Sequence, residues 1–206
     1  MSHAQGDDDI EGPPGVGRVE AYSDGVIAII VTIMVLELHA PLTEGIDRLW
    51  TLWPVFLAYI LSYAYVSIYW VNHHRLFSHA RVVTNSLVWS NILLLFALSL
   101  IPFTTSYLGA HHFNRDATLL YLASALLPAF SYSWLQATIR KTGKRGPNAD
   151  AYHRRSTRKG ILATVLYAAG MPLTLISPWL GIGCAVIVAV LWFLPVGPLD
   201  LIFDDR

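Results

Sequence analysis

The N-terminal apolar segment, residues 18–38, carries ionisable and hydroxyl side chains that a simple membrane anchor does not need. It reads RVEAYSDGVIAIIVTIMVLEL, with Glu20 and Asp24 near its start, Thr32 in its middle and Glu37 at its end. Ionisable side chains that face lipid are energetically costly, so they usually turn towards protein or water. We therefore predict that this segment is a membrane helix that lines an internal pathway.

The composition places the chain among polytopic membrane proteins. Of its 206 residues, 54% are hydrophobic and 14% are charged, and the mean hydropathy is +0.48. The 14 Lys and Arg residues are balanced by 14 Asp and Glu residues, so the charge gives no indication of a nucleic-acid partner. The chain has one cysteine, Cys184, which lies in an apolar run. A single cysteine excludes a disulfide within the chain and a cysteine-based metal site.

The charge-free runs predict an all-α membrane protein with six transmembrane helices in one domain, since a helix needs about 20 apolar residues to cross a bilayer. Pro102 is expected to kink the third helix, and Pro178 divides the apolar run 160–199 into the fifth and sixth helices. The predicted helices occupy residues 19–38, parts of 49–72 and 84–108, and residues 117–139, 161–177 and 179–195.

The placement of Lys and Arg predicts the orientation in the membrane. Eight basic residues lie in the predicted loop 140–160, whereas the opposite side carries few. We therefore predict a multi-pass plasma-membrane protein with both termini cytoplasmic. It comprises a disordered tail at 1–17, one membrane domain at 18–201 and a C-terminal tail at 202–206. The basic loop either marks topology alone or also contacts anionic lipid head groups.

Polar side chains at the cytoplasmic ends of the first two predicted helices share one membrane depth. They are Arg18, Ser23 and Asp24 on the first helix and Trp70, Asn72, His73 and His74 on the second. A cation, a carboxylate and an imidazole at one depth can join by charge-assisted hydrogen bonds. Alternatively, the serine and the aspartate cap the first helix and the histidines face water. The residue types leave both interpretations open.

Three motifs resemble the transmembrane protein 175 potassium channels. The first is Arg-x-x-x-aromatic-Ser-Asp followed after eight residues by Thr, and the second is W-x-x-H-x-R-L-F. In this chain they are Arg18, Tyr22, Ser23, Asp24 and Thr32, and then Trp70, His73, Arg75, Leu76 and Phe77. The third motif is NILLLFALSLIPFTTSYLG from Asn91. The resemblance covers the first three helices by motif and the last three by length and topology, and Tyr22 departs from the usual Phe.

The resemblance implies a potassium-selective channel that conducts passively in the lipid bilayer, without a cofactor and without enzymatic activity. It implies a homotetramer in which the first helix of each subunit lines a central pore. By distance from the Ser-Asp motif, the narrowest ring falls on Ile29, a hydroxyl ring with transient potassium falls on Thr32, and a further apolar ring falls on Leu36. The sequence contains no Thr-Val-Gly-Tyr-Gly filter.

The resemblance also implies that Arg18, Asp24 and His73 belong to a network that holds the first helix against the second near the gate. Tyr22, Ser23 and Trp70 complete the motifs of that network. We expect no direct contact between these side chains and the permeating ion.

Helical geometry is compatible with the implied pore face. Ile29, Thr32, Ile33 and Leu36 follow the spacing i, i+3, i+4 and i+7, which is one face of a helix. Such a face in a membrane helix packs against neighbours far more often than it lines a pore, so the spacing alone leaves both open. In a pore, the apolar rings would gate by dewetting.

Two other function classes need weighing. A proton-coupled secondary transporter would use Asp24 or Glu37 as relays, but both sit at helix ends. A membrane metalloenzyme would use two histidine clusters, which are His73, His74 and His79, and His111 and His112. Neighbouring histidines on a helix point in different directions and no carboxylate stands at ligand spacing, so we expect no metal site.

Overall fold

The computed structural model describes residues 15–39 and 46–193, and the regular structure of these residues is helical. The helices are α1 (Val16–Leu36), a 3-10 helix (Ile46–Leu52), α2 (Trp53–Phe77), α3 (Asn85–Ser99), α4 (Ile101–Ala110), α5 (Arg115–Thr142), α6 (Pro147–Ile176) and α7 (Pro178–Phe193). The all-α prediction agrees with this architecture. The tail predicted at 202–206, most of the tail predicted at 1–17 and the predicted end of the sixth helix lie outside the described residues.

Five helical segments of the described chain are long and apolar enough to cross a membrane, as judged by length and composition. They are Val16–Leu36, Leu49–Phe77, Asn85–Ala110, Arg115–Thr142 and Pro147–Ile176. The helix α7 is also apolar, but it has only 16 described residues. The chain is therefore a multi-pass membrane protein.

Prolines place two of the helix boundaries. Pro102 cannot donate a backbone hydrogen bond, and the regular helix is interrupted at Leu100, between α3 and α4, within the one span Asn85–Ala110. Ser177 is extended, with φ −154° and ψ 131°, because a following proline disfavours the helical conformation. The boundary predicted at Pro178 agrees with the structure, and the interruption at Leu100 lies two residues before Pro102, where the kink is predicted.

The helix α2 ends at Phe77, five residues beyond its predicted end at residue 72. The extra turn carries Leu76 and Phe77 into the core, where they are 0% and 2% exposed. His73 is buried on the same turn. Of the two interpretations left open for His73, the one in which it faces water is therefore wrong. The helix α1 ends two residues before its predicted end.

The basic segment 140–160, predicted as a loop, is mostly helical. The helices α5 and α6 leave only residues 143–146 as the connection between them. Ala149, His153 and Ser156 are buried on one side of α6, and the charged residues between them are largely exposed. The loop prediction was wrong because a dense run of charges does not distinguish the solvated face of a helix from a loop.

The centre of the bundle lies in α3, α4 and α5, and α1 lies at its edge. In the most apolar window of each span, 56% of the residues are buried for Asn85–Ala110 and for Arg115–Thr142, against 22% for Val16–Leu36. The helix α1 packs against α2, α3 and α4, and α6 packs against α5 and α7. Much of the surface of α1 is therefore not covered by the other described helices.

Candidate functional site

One side of α1 is fixed against the rest of the chain. Ile27, Ile30 and Met34 are at most 3% exposed. Their spacing of three and four residues puts them on a single stripe of the helix. This buried stripe sets the rotation of α1 about its own axis, and it decides which residues face outwards.

The four residues predicted to line a pore lie away from the buried stripe, and we name them the outer face of α1. Ile29 is 58% exposed, Ile33 is 41% exposed and Leu36 is 73% exposed, and Thr32 is exposed as well. The Oγ1 atom of Thr32 donates a hydrogen bond to the backbone oxygen of Ile29 at 2.9 Å. Its lone pairs stay free to accept, and the chain itself leaves the outer face uncovered.

A groove of about 640 Å³ runs between α1 and α4 beside the outer face. Ile29 and Ile33 contribute one wall, and Phe103 and Tyr107 of α4 contribute the other. Phe103 is 64% exposed, so this groove is open and apolar. Ile29 and Ile33 therefore border α4 as well as the exterior of the chain.

A hydrogen bond between side chains joins the start of α1 to the end of α2. The indole Nε1 of Trp70 donates to Oδ1 of Asp24 at 2.9 Å. Trp70 is 45% exposed, so this contact lies at the edge of the packed region. It brings together two of the residues that the motifs singled out.

A second, buried network ties three helices together. His73 Nε2 donates to Oδ1 of Asn91 at 2.8 Å, and Nδ2 of Asn91 donates to Oγ of Ser23 at 2.8 Å. Ser23 in turn donates to the backbone oxygen of Val19 at 2.8 Å. The side chains of Ser23, His73 and Asn91 are at most 1% exposed. Because a buried polar group without a partner is costly, these bonds constrain how α1, α2 and α3 can pack.

The remaining motif residues lie outside this network. Arg18 is exposed on the first turn of α1, and in the described part of the chain no hydrogen bond or ion pair joins it to Asp24 or His73. Tyr22 is 61% exposed. An exposed guanidinium stays hydrated and gains little from a surface ion pair.

Sequence reasoning missed two contributors at this end of α1. Asn91 was quoted only as the start of the third motif, and its position as a polar residue in a charge-free run could have revealed it, since a buried amide needs partners. Glu20 Oε1 and His74 Nδ1 lie 2.8 Å apart, with side chains 25% and 66% exposed. This second contact between α1 and α2 is more solvated than the first.

The histidines weighed for a metal site do not converge. His73 and His74 contact side chains of different helices, and His111 Nδ1 hydrogen-bonds a backbone carbonyl of the preceding turn. In residues 15–39 and 46–193, no group of three or more His, Cys, Asp or Glu side chains is placed to hold a metal ion.

Known proteins share both the sequence and the fold of this chain. A family model described as the endosomal/lysosomal potassium channel TMEM175 matches residues 18–102. A protein of Chryseobacterium sp. (strain P1-3) that is named a potassium channel is 40% identical over 180 residues, which cover 87% of this chain and 93% of that protein.

A solved structure and a mammalian relative extend the comparison. The crystal structure of a lysosomal potassium-selective channel TMEM175 homolog from Chamaesiphon minutus matches with a TM-score of 0.73 and 31% identity, covering 86% of this chain and 95% of that chain. A rat protein named endosomal/lysosomal proton channel TMEM175 is 36% identical over 97 residues, which cover 41% of this chain and 19% of that protein.

Proposed function

Because the chain belongs to the TMEM175 family, we propose that it forms a potassium-selective channel that conducts passively. Four copies assemble around an axis in the membrane, and the outer face of α1 in each copy lines the pore. The bacterial relatives named as potassium channels support this function over most of their length. The observation that carries the proposal is the exposure of the outer face, which the chain itself leaves uncovered.

The outer face supplies the chemistry of a gated cation pore. Ile29, Ile33 and Leu36 form apolar rings when four copies surround an axis. A narrow apolar ring excludes water and hydrated ions, because it offers them no hydrogen bonds, and a small widening rewets it. Ile29 forms the narrowest ring, and Leu36 forms a further ring nearer the other membrane face.

Thr32 supplies the polar ring between the apolar ones. Its hydroxyl proton is already donated to the Ile29 carbonyl, so the oxygen lone pairs are the part left for a cation. Four such oxygens compensate a partly dehydrated potassium ion. Sodium holds its water more tightly, so the same ring favours potassium.

The network at the start of α1 acts as a brace for the pore helix. Asp24 with Trp70 and Ser23 with Asn91 and His73 connect α1 to α2 and α3. These side chains hold one end of α1 and do not contact the permeating ion. Movements that open the pore then occur beyond the brace, along the outer face.

Each subunit crosses the membrane six times, with α7 as the sixth span and with residues 18–201 as one channel domain. An even number of crossings puts both termini on one side. We propose that this side faces the cytoplasm and that the membrane is the plasma membrane. The basic segment 140–160 and Arg75 support the cytoplasmic side, since cytoplasmic connections are enriched in Lys and Arg.

Proton movement is the second candidate, either through a channel or coupled to a cation or small solute in a secondary transporter. The specific observation in its favour is the rat relative, which is named a proton channel. In such a mechanism Asp24 and Glu37 of α1 are the carboxylates that could exchange protons.

Ion flux into liposomes that contain only the purified protein separates the potassium channel from the proton-coupled transporter. The channel proposal predicts potassium flux larger than sodium flux, with both driven by their own gradients and unaffected when the pH gradient is collapsed. Flux that stops when the proton gradient is abolished contradicts the channel and supports the transporter.

Thr32 offers a sharper test of selectivity. Thr32→Ala removes the oxygen ring and is expected to lower the potassium-to-sodium flux ratio by a factor on the order of three to ten, which corresponds to about one hydrogen bond. Thr32→Ser keeps the hydroxyl and serves as the matched control. An unchanged ratio in Thr32→Ala, with normal total flux, removes Thr32 from the pore.

A further inference from the structure

A groove at the basic end of the protein combines charged, aromatic and aliphatic side chains. It has a volume of about 740 Å³ and lies between α2, the first turns of α6 and the end of α7. We name it the basic groove, and its main lining residues are Tyr63, Ile68, Arg75, Arg155, Lys159 and Trp192. It is separate from the outer face of α1 and from the network that braces it.

The lining of the groove changes character along α2. Tyr63, Ser67, Val71 and Arg75 follow one another at intervals of four residues and all line the groove. One face of α2 therefore passes from an aromatic and small-residue surface inside the span to a guanidinium at its last turn. Tyr63 is 45% exposed, so the inner part of this face is open.

The helix α6 brings two further cations to the same groove. Arg155 and Lys159 lie on consecutive turns in the first half of α6 and both line the groove. The Nζ atom of Lys159 lies 5.9 Å from the centre of the Trp192 ring. A Trp ring and a Lys or Arg side chain together are typical of the interface between lipid head groups and acyl chains.

We propose that the basic groove binds an anionic phospholipid of the adjacent leaflet. The phosphate lies against Arg155 and Lys159, whose N–H groups match phosphate oxygens, and the acyl chains run along Tyr63 and Ile68. The anionic head group then lies at the basic end of the groove, and the acyl chains lie at its aromatic and aliphatic end. A zwitterionic lipid fits less well, because its ammonium group meets the same cations. The lipid connects α2 to α6, so it stabilises the packing of these two helices.

The same helix provides a matched set of basic residues. Arg154 and Arg158 are exposed on α6, carry the same charge and do not line the groove. Arg155→Gln with Lys159→Gln removes two charges from the groove, and Arg154→Gln with Arg158→Gln removes two charges beside it. If the attraction to an anionic surface is diffuse, removing either pair weakens lipid binding equally. If a lipid is bound in the groove, removing the groove pair weakens binding more.

Thermal unfolding of the full-length protein in detergent tests the proposal, with phosphatidylglycerol or phosphatidylcholine titrated into the micelles. Phosphatidylglycerol is expected to raise the unfolding temperature at lower concentration than phosphatidylcholine does. In the groove variant its apparent affinity falls about 25-fold, since each partly solvated charged contact with the phosphate contributes about fivefold. In the Arg154 and Arg158 variant it changes less than about threefold.

Two further variants complete the test. Ser67→Trp fills the groove without changing any charge, and it is expected to weaken phosphatidylglycerol binding as well. If the groove variant and the Arg154 and Arg158 variant lose affinity for phosphatidylglycerol equally, the proposal is overturned, because diffuse surface charge then explains the binding. A different result also contradicts the proposal. In it, the wild-type protein responds equally to both lipids, and the double variant Asp204→Asn with Asp205→Asn gains a preference for phosphatidylglycerol. The occupant of the groove is then the acidic end of the chain itself.

Discussion

The two halves of α1 are held in different ways. At its start, Ser23 and Asp24 form hydrogen bonds with side chains of α2 and α3. Further along, the side-chain hydrogen bond of Thr32 stays within its own helix, and the outer face is exposed. Directional bonds fix one half in position, whereas the other half rests on apolar packing of one stripe only. The difference supports the proposal that the first half positions α1 and that the second half meets a partner subunit or a pore.

The two halves should also differ in what a substitution costs. Removing one partner of a buried hydrogen bond leaves the other unpaired and costs about 1–3 kcal/mol. A substitution on an exposed face usually changes the free energy of unfolding by about 0.5 kcal/mol or less. Variants in the first half are therefore expected to change stability, and variants on the outer face are expected to change conduction.

The largest effect is expected at Asn91. Asn91→Leu keeps the branching of the side chain but removes both of its hydrogen bonds, which leaves the buried Nε2 of His73 without an acceptor and Oγ of Ser23 without a donor. We expect a loss of about 2–4 kcal/mol in the free energy of unfolding, measured by denaturant or thermal unfolding in detergent.

The matched control for this variant is Asn72→Leu on α2. Among the described residues, the side chain of Asn72 donates to a backbone oxygen of its own helix, so the same chemical change there breaks no hydrogen bond between helices. A loss below about 1 kcal/mol is expected for it. If the two leucine variants unfold alike, the network around Asn91 does not hold the helices together, and the contrast between the halves of α1 disappears.

The helices were predictable from the sequence because apolar length and proline carry a strong signal. Pro178 divides one long apolar run, and the extended Ser177 lies at that division. The segment 140–160 was not predictable as helix, because its buried residues are small or polar and its charges dominate the pattern. A hydropathy profile reports the charged character of this segment and not its helical periodicity.

The candidate site was only partly predictable. The motifs selected Ser23, Asp24, Trp70 and His73, but the pairing depends on Asn91, which stands on a third helix and gives no charge signal. The rotation of α1 was also hidden, since Ile27 and Ile29 are the same residue type and yet are 2% and 58% exposed. Only the neighbouring helices decide which isoleucine faces outwards, so the pore role of the outer face stays a prediction.

An intermediate effect is expected at Ile29. Ile29→Asn introduces an amide into the narrowest apolar ring, which lets water and ions enter the closed pore. We expect the leak of potassium from liposomes to rise about tenfold, which corresponds to a barrier lowered by about 1.4 kcal/mol, with little change in unfolding temperature.

Val35→Asn is the control for this leak. Val35 is 48% exposed on the same helix but does not belong to the outer face, so the same polarity change is made away from the proposed pore. A leak that rises equally in both variants means that the bilayer or the packing was disturbed and that Ile29 forms no gate.

The smallest effect is expected at Asp24, where the contact with Trp70 is partly solvated. Asp24→Ala removes the acceptor and is expected to cost about 1 kcal/mol, less than a fully buried charged hydrogen bond, because water competes for both partners. Asp24→Asn keeps the Oδ1 acceptor and should retain most of the stability.

Size-exclusion chromatography measures the assembled fraction of each variant, and liposome flux measures its ion preference. A loss of assembled protein in Asp24→Ala alone places the residue in the positioning half of α1. Full assembly with an altered ion preference in both variants instead makes the charge of Asp24 part of the conduction path, which joins the two halves of α1 into one functional unit.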